Sequence, residues 1–591
     1  MMPAAFTLPA IAAFLAEGTV SAIACEALAR IAAWNDPALF ITALREDEVL
    51  ARAAALDAEG AHGRPLFGVP FVVKDNIDVA LLPTTAACPA YVYTPERHAS
   101  SVARLLAAGA LLLGKVNLDQ FATGLNGTRS PYGTPRNAVA PERIPGGSSS
   151  GSASAVAAGI AAFALGTDTA GSGRVPAMAQ NIVGLKPSLG LVPTLGVVPA
   201  CRSLDVVSVF ALTAADAAAV LQVIAGPDAE DRYARAAPQG WRAAGAVPPS
   251  FRLAVPHDEA LVFDSDDNAA LHAAAVARAE ALGASVVRVD IAPLLAVARR
   301  LYDGAWVAER TAGLRDFLAA RPDALHPVTR AILDSGFARS AVDAFDDFHA
   351  VAEARRIARA LFVTVDALML PTAPGIPDVA AMLADPIGAN SRLGTYTNFV
   401  NLCDLAGIAV PAGFDRDGVP FGVTLLGPAF SEARLVALGG ALHHAAGLSQ
   451  LGVLRAATPA PAPADPLAPD ETALFCIGAH MSGLPLNHQV TAPGGRFIAE
   501  ARTGACYRLY DLGSRPGLVR VAEGGAAIEG EIWAVPTIAI GALLAQVPAP
   551  LGFGRVKLEG GEMLGFLCEA EGAAGARDIT ASGGWRNWLA R

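Results

Sequence analysis

GGSSSGSASAVAAGIAAFALGTDTAGSGR, Gly146 to Arg174, decides how the chain is read. Its small residues from Ser150 to Ile160 predict a tightly packed, buried helix. The apolar run Ala162 to Leu165 predicts a buried strand, and Gly166 to Arg174 predicts a tight turn around Ser172. A helix, then a strand buried on both faces, points to an α/β sheet covered by helices. Upstream, Phe67 to Val73 reads as a strand that places Lys74 at its buried end. Ser100 to Ala108 reads as a helix capped by Ser100 or Ser101, and Leu111 to Leu113 as another strand. From Asp264 to Leu318 the pattern is mostly helical.

The same segments carry chemistry. An amide is a poor electrophile, so its hydrolysis requires an activated nucleophile, a proton shuttle and an oxyanion site. No histidine lies in these segments, whereas Lys74 does. A lysine acts as a base only when neutral, and the end of a buried strand is where desolvation lowers its pKa. The Gly146–Ser152 loop offers several hydroxyls, and a helix beginning near Ser149 or Ser150 presents free N–H groups. The small residues around Ser172 let a substrate approach the backbone. Taken singly, a glycine–serine loop is as readily a turn or a phosphate cradle, and a lysine ending a strand is a solvated charge. The order and spacing of the three together point to Ser-Ser-Lys acyl transfer.

The rest of the chain sets bounds. At 591 residues it requires two or three domains. Hydrophobic residues make up 53% and charged residues 17%, which suits a large buried interior. A net charge of −11 argues against a nucleic-acid groove. The apolar N-terminus lacks a basic region and reads as a helix, and no stretch has the unbroken apolar character of a membrane span. Seven scattered cysteines without a Cys-x-x-Cys pair signal neither zinc nor a disulfide framework and fit a reducing cytoplasm. The alternating alanines and prolines of Ala456 to Pro469 predict a semi-rigid linker. The boundaries expected are therefore 1–455, a linker at 456–471, and a module at 472–591. In that module Leu474–Ile477, Tyr507–Leu512, Leu518–Val521 and Ile528–Ala534 read as strands of an α+β or β-rich unit.

The block Gly146 to Gly190, with GVPFVVKDNIDV and GKVNLDQFATG upstream, resembles the amidase signature family. The resemblance covers most of Phe67 to Gly190. It implies a large mixed sheet covered by helices and a triad of a lysine, a serine preceded by a cis peptide bond, and a nucleophilic serine. These fall on Lys74, Ser148 and Ser172, the twenty-four-residue interval selecting Ser148 among its neighbours. The N–H groups of Thr169, Ala170, Gly171 and Ser172 would form the oxyanion hole, with Ala170 standing where the family often has glycine. Asp168 and Arg174 are expected to fix the turn.

Two further segments are similar to allophanate hydrolases within that family. Leu301 to Arg310 matches a segment whose tyrosine and arginine grip the substrate, here Tyr302 and Arg310. Eight residues apart, they would share one helical face; a bland ion pair of Arg310 with a neighbouring acid is the alternative. Leu474 to Leu589, through GAHMSGLPLNHQ, YRLYDLG, RPGLVRV and ARDITASGGW, resembles their C-terminal domain, which is similar to the γ-glutamylcyclotransferase fold. His480 and His488 are its candidates for assisting decarboxylation; a scaffold role is the other reading. The resemblance implies hydrolysis of allophanate without metal or organic cofactor, a homodimer, and a functional link to urea carboxylase. The alternatives are an amidase for biuret or aryl amides, and the A-type subunit of a tRNA amidotransferase.

Overall fold

A computed structural model describes residues 2–461, 467–468 and 470–591. The large sheet contains eleven strands: β1 (Phe40–Ala43), β2 (Pro70–Lys74), β3 (Leu111–Val116), β4 (Phe163–Asp168), β5 (Val183–Lys186), β6 (Val206–Ala211), β7 (Phe251–Pro256), β8 (Ala284–Val289), β9 (Ala367–Pro371), β10 (Leu405–Phe414) and β11 (Pro420–Pro428). Their spatial order is β1-β3-β2-β4-β6-β5-β10-β11-β9-β7-β8. β2 runs parallel to both β3 and β4, whereas β6, β5, β10 and β11 succeed one another antiparallel. The sheet is therefore mixed. β2, β3 and β4 are buried at every residue, and their shared carboxyl edge is where the functional side chains collect. That is the usual position for a site in an open α/β sheet.

Four helices matter to the argument: α1 (Ser100–Ala107), α2 (Ser150–Ala157), α3 (Trp306–Ala320) and α4 (Ala341–Thr364). α2 is buried along its whole length, as its serines, alanines and glycine predict. A Cβ on Gly151 would stand 2.6 Å from the Asn117 backbone nitrogen, so the helix seats only because that position has no side chain. Its hydroxyls stitch it to β4: Ser152 Oγ donates to Leu165 O at 2.9 Å, and Ser149 Oγ, from the residue before the helix, to Thr167 O at 3.2 Å. Its Gly151 N–H is not free but donates to Asn117 O at 3.0 Å.

Several local expectations change. β2, expected from Phe67, begins at Pro70, because Gly68 takes a positive φ of 71° that ends the preceding turn. α1 is not capped by Ser100 or Ser101; Ala99 occupies the cap, and the Ser100 hydroxyl instead donates to Asp228 at 2.6 Å. α2 stops at Ala157, with Gly159 left-handed just beyond. Within the segment expected to be helical, Ala284–Val289 forms β8 beside β7.

Beyond the large core lies a second, whose buried residues run from Leu474 to Trp585. It is built on a five-stranded sheet and a three-stranded one. β12 (Glu471–Cys476), β13 (Arg496–Arg502), β16 (Glu529–Pro536), β17 (Leu551–Leu558) and β18 (Gly561–Cys568) form the first, in the order β13-β16-β12-β18-β17; β14 (Tyr507–Asp511), β15 (Pro516–Arg520) and β19 (Arg577–Asp578) form the second. All four strands expected here are present within a few residues. The expected linker falls partly on residues 462–466 and 469, outside the described residues; Thr458, before them, is buried and its carbonyl meets His444 Nδ1 at 2.9 Å. No helix among the described residues is long and apolar enough to cross a membrane.

Candidate active site

Lys74 closes β2, completely buried. Its Nζ lies 2.7 Å from Ser148 Oγ and 2.8 Å from Thr167 Oγ1. Burial lowers its pKa to about 7; the carboxylates of Asp119, Asp205 and Asp168 oppose the shift, and the Arg310 guanidinium adds to it. A neutral amine has two N–H donors and one lone pair. It can therefore donate to Thr167 while accepting from the Ser148 hydroxyl.

Ser148 follows a cis Gly147–Ser148 peptide bond. Its carbonyl accepts from the Asp119 N–H at 3.1 Å. Asp119 is a residue that sequence reasoning missed, although it lies inside the quoted GKVNLDQFATG. Its carboxylate accepts from the N–H groups of Asn126, Gly127 and Arg129 at 3.0–3.2 Å. It thereby folds the loop that carries Thr123 and Gly124 back over the site.

Ser172 sits 3% exposed on the turn after β4. Its hydroxyl is directed at Gly124 O, 3.4 Å away, and makes no hydrogen bond with Ser148. The structure thus joins Lys74 to Ser148 and leaves the step from Ser148 to Ser172 open. The turn itself is fixed by Asp168. Its carboxylate takes the N–H groups of Gly171 and Gly173 at 2.9 and 3.0 Å, and pairs through both oxygens with Arg174 at 2.9 and 3.0 Å. Burial pushes the Asp168 carboxyl up, but Arg174, Lys186 and the Gly173 N–H together bring it below its ordinary value. A Cβ on Gly171, whose φ is 135°, would run into Thr397 Oγ1.

Of the four expected oxyanion donors, Gly171 is already engaged by Asp168, because a carboxylate fixed at the start of the same turn is a stronger acceptor than any solvent position. The N–H groups of Thr169, Ala170 and Ser172 have no acceptor among the described residues. Thr169 is anchored through its hydroxyl to Asp205, which also accepts from Ala200 N at 2.8 Å and Cys201 N at 3.1 Å. Burial raises Asp205 to about 6. Neither Asp205 nor Thr167 can be singled out from the sequence. Their roles depend on which strand ends come together, and β4 meets β6 only through the crossing of the sheet.

Tyr302 and Arg310 do meet, though not on one helix. Tyr302 follows a short 3-10 turn, and α3 begins only at Trp306. The break lies at Gly304, where a Cβ would stand 2.5 Å from Arg300 O. The chain nonetheless brings the Arg310 guanidinium to 5.1 Å from the Tyr302 ring centre. Arg310 is 3% exposed, donates to Thr123 Oγ1 at 3.3 Å, and leaves Nε and Nη2 without a protein partner; the Tyr302 hydroxyl is buried and equally unpartnered. Glu309, the expected competitor, is engaged elsewhere, accepting from Ser203 N and Oγ at 2.9 and 2.7 Å. Buried, unsatisfied donors beside the loop that faces Ser172 are what an anionic ligand would fill.

The two C-terminal histidines have different settings. His480 stacks on Phe566 at 4.6 Å and donates through Nε2 to Gln489 Oε1 at 2.9 Å, and burial lowers its pKa from the ordinary histidine value. His488 donates through Nδ1 to Pro485 O at 2.9 Å and lines a cavity of about 220 Å³ between the two cores, beside Trp241 and Trp533.

Comparison with known proteins settles the ancestry of this arrangement. The amidase family model matches residues 22–436. The chain belongs to the amidase family. A second model, the allophanate hydrolase C-terminal domain, matches residues 472–590 of this amidase. The amidase is 41% identical over 551 residues to urea amidolyase of Saccharomyces cerevisiae, covering 90% of this chain and 30% of that protein. It therefore spans about a third of such relatives. It is 37% identical over 485 residues to the A-type subunit of glutamyl-tRNA(Gln) amidotransferase from Symbiobacterium thermophilum, covering 73% of this amidase and 96% of the relative. The structure of Kluyveromyces lactis allophanate hydrolase superposes with a TM-score of 0.79 at 39% identity, over 99% of both chains. The α/β sheet and the smaller C-terminal sheet unit are those of that structure.

Proposed function

We propose that this amidase hydrolyses allophanate, a urea that bears a carboxylate. The observation that carries this reading is Arg310: a buried guanidinium with two unpaired nitrogens, against Tyr302 and next to the loop whose Gly124 carbonyl faces the Ser172 hydroxyl. The 39% identity to the K. lactis enzyme over essentially the whole chain supports it.

In this reading Arg310 holds the substrate carboxylate and Tyr302 hydrogen-bonds the ureide. Neutral Lys74 takes the Ser148 proton as Ser148 takes that of Ser172. The Ser172 hydroxyl must first rotate from Gly124 O to Ser148. Ser172 Oγ then attacks the terminal carbamoyl carbon. The oxyanion faces the N–H groups of Thr169, Ala170 and Ser172, and ammonia leaves with the relayed proton. Water, activated through the same relay, releases N-carboxycarbamate and restores the serine. Loss of carbon dioxide from that product, with uptake of a proton, gives carbamate and then a second ammonia. The amidase unit would occupy 1–455 and the C-terminal unit 472–591, joined by 456–471. The protein would act as a homodimer in the cytoplasm, downstream of an enzyme that carboxylates urea.

Ammonia counted against allophanate consumed by the purified chain tests the assignment: two per substrate are expected. Turnover of simple amides but not allophanate would reject it, as would activity only in the presence of amidotransferase partners.

A further inference from the structure

The three nitrogens of Arg310 are not treated alike. Nη1 donates to Thr123 Oγ1 at 3.3 Å, whereas Nε and Nη2 have no protein partner. Nε and Nη2 share one edge of the guanidinium plane, an edge that matches a carboxylate through two parallel hydrogen bonds. Elsewhere in the chain the match is made. Arg174 grips Asp168 through Nε and Nη2 at 2.9 and 3.0 Å, and Arg416 grips Asp267 through the same pair at 2.6 Å each. In Arg310 that edge is left whole, because the hydrogen bond to Thr123 falls on the third nitrogen. The carboxylates of Asp205 and Glu309 are engaged with Thr169 and Ser203.

Thr123 is itself held firmly. It is buried, and its hydroxyl donates to Phe121 O at 3.2 Å, so its oxygen turns a lone pair toward Arg310. Its carbonyl accepts at 2.9 Å from Nη1 of Arg129, a second buried guanidinium, whose Nη2 reaches Pro386 O. Just ahead, Phe121 and Ala122 take φ of 51° and 52°, a region that residues with a side chain rarely adopt. Their N–H groups donate to Ala86 O and Asp119 O, each at 2.9 Å. The next residue, Gly124, sets its carbonyl 3.4 Å from the Ser172 hydroxyl. Adjacent residues thus carry the contact to Arg310 and the contact to Ser172. From its face, the guanidinium is limited by the Tyr302 ring at 5.1 Å. The turn behind Tyr302 is held by Asp347 of α4, which accepts from Arg300 and from the Ala305 N–H. The ring restrains the guanidinium plane, and the Thr123 oxygen restrains rotation within it.

We propose that Thr123 is a positioning residue for substrate choice: its hydroxyl holds Arg310 so that the Nε–Nη2 edge is presented to a substrate carboxylate. This deepens the reading of Arg310 given above and rests on it. Thr123 acts through Arg310 and not on the reacting atoms.

The probes are malonamate, an amide with a carboxylate one carbon away, and malonamide, its neutral counterpart. Their equilibrium binding to the full chain carrying Ser172→Ala is measured by calorimetry, so that turnover plays no part. Malonamate is expected to bind more tightly. Adding Thr123→Val, which keeps the shape and removes the oxygen, should reduce that preference about 3–10-fold. Thr123→Ala should agree with it, and Thr123→Ser, which keeps the oxygen, should hold the parental preference. In an Arg310→Ala background Thr123→Val should change the preference no further. If Arg310→Ala removes the preference while Thr123→Val leaves it intact or weakens both ligands alike, the positioning role of Thr123 falls alone. If the chain with Thr123 and Arg310 intact binds malonamate no better than malonamide, the carboxylate reading of Arg310 falls and takes this inference with it.

Discussion

Lys74 Nζ stands 2.7 Å from Ser148 Oγ and 2.8 Å from Thr167 Oγ1, in a site closed to solvent. Because burial has brought this amine to about 7, the base form required for proton removal grows in as the pH rises through that value. The expected kcat/KM for allophanate therefore climbs tenfold per unit below about pH 7 and levels above it. Thr167→Val removes an acceptor that favours the ammonium form more than the amine. It should lower kcat by about 2–10-fold, the loss of one buried hydrogen bond to a neutral amine, and move the acidic rise to lower pH. A rise centred near the ordinary lysine value would remove Lys74 as the base.

The Asp205 carboxylate holds Thr169 through its hydroxyl and fixes the Ala200 and Cys201 N–H groups. Releasing Thr169 would loosen one of the proposed oxyanion donors. Asp205→Ala should lower kcat by about 10²-fold, in line with loss of one preorganised donor. Thr169→Val should do the same, and the double variant should be no worse than either alone. Full additivity in steady-state kinetics would separate the two residues.

How much of this is legible in sequence follows from how local each feature is. Lys74 and Ser172 lie in short segments whose small-residue texture predicts a buried strand end and a tight turn, whereas Ser148 is picked out from its neighbouring serines only by the family resemblance. Tyr302 and Arg310 can be paired by spacing but not placed, since Gly304 breaks the helix that the spacing suggests. Asp205 and Thr167 are out of reach. A single aspartate after a leucine carries no signal until β6 is laid beside β4. Asp119 lies in a quoted motif, but its work, gathering three backbone N–H groups across ten residues, is a property of a folded loop. Likewise Ser100 reads as a cap on propensity alone, and Asp228, more than a hundred residues later, takes its hydroxyl.

Arg310 is the test of substrate choice. Its Nε and Nη2 have no protein partner, and in the proposed reading a substrate carboxylate would satisfy them. Arg310→Ala should raise KM for allophanate by about 10–100-fold, the range of a charge-assisted pair, while sparing hydrolysis of a neutral amide such as acetamide. Arg310→Lys keeps the charge but loses the fork and should recover only part of the affinity. Equal damage to charged and neutral substrates would make the residue structural.

The Asp168–Arg174 pair is completely buried and sets the Ser172 turn from behind. Removing one partner leaves an uncompensated charge in the core. Arg174→Met should therefore destabilise the amidase core by about 3–5 kcal/mol, seen in denaturant titration. Arg174→Lys, with one donor direction instead of a fork, should fall between. If Arg174→Met melts like the parent while losing activity, the arginine acts on the chemistry and not on the turn.

The C-terminal histidines separate by their surroundings. His480 is committed to Gln489 and Phe566, so His480→Ala should unsettle the small core. His488 has its Nδ1 on Pro485 O, which leaves Nε2 available to a ligand in the cavity that His488 lines. If the module assists decarboxylation, His488→Ala should leave the first ammonia at the parental rate and delay the second. Carbon-13 spectra of the reaction should then show the dicarboxylated product accumulating before carbon dioxide appears. Parallel release of both ammonias at the parental rate would assign the module to scaffolding.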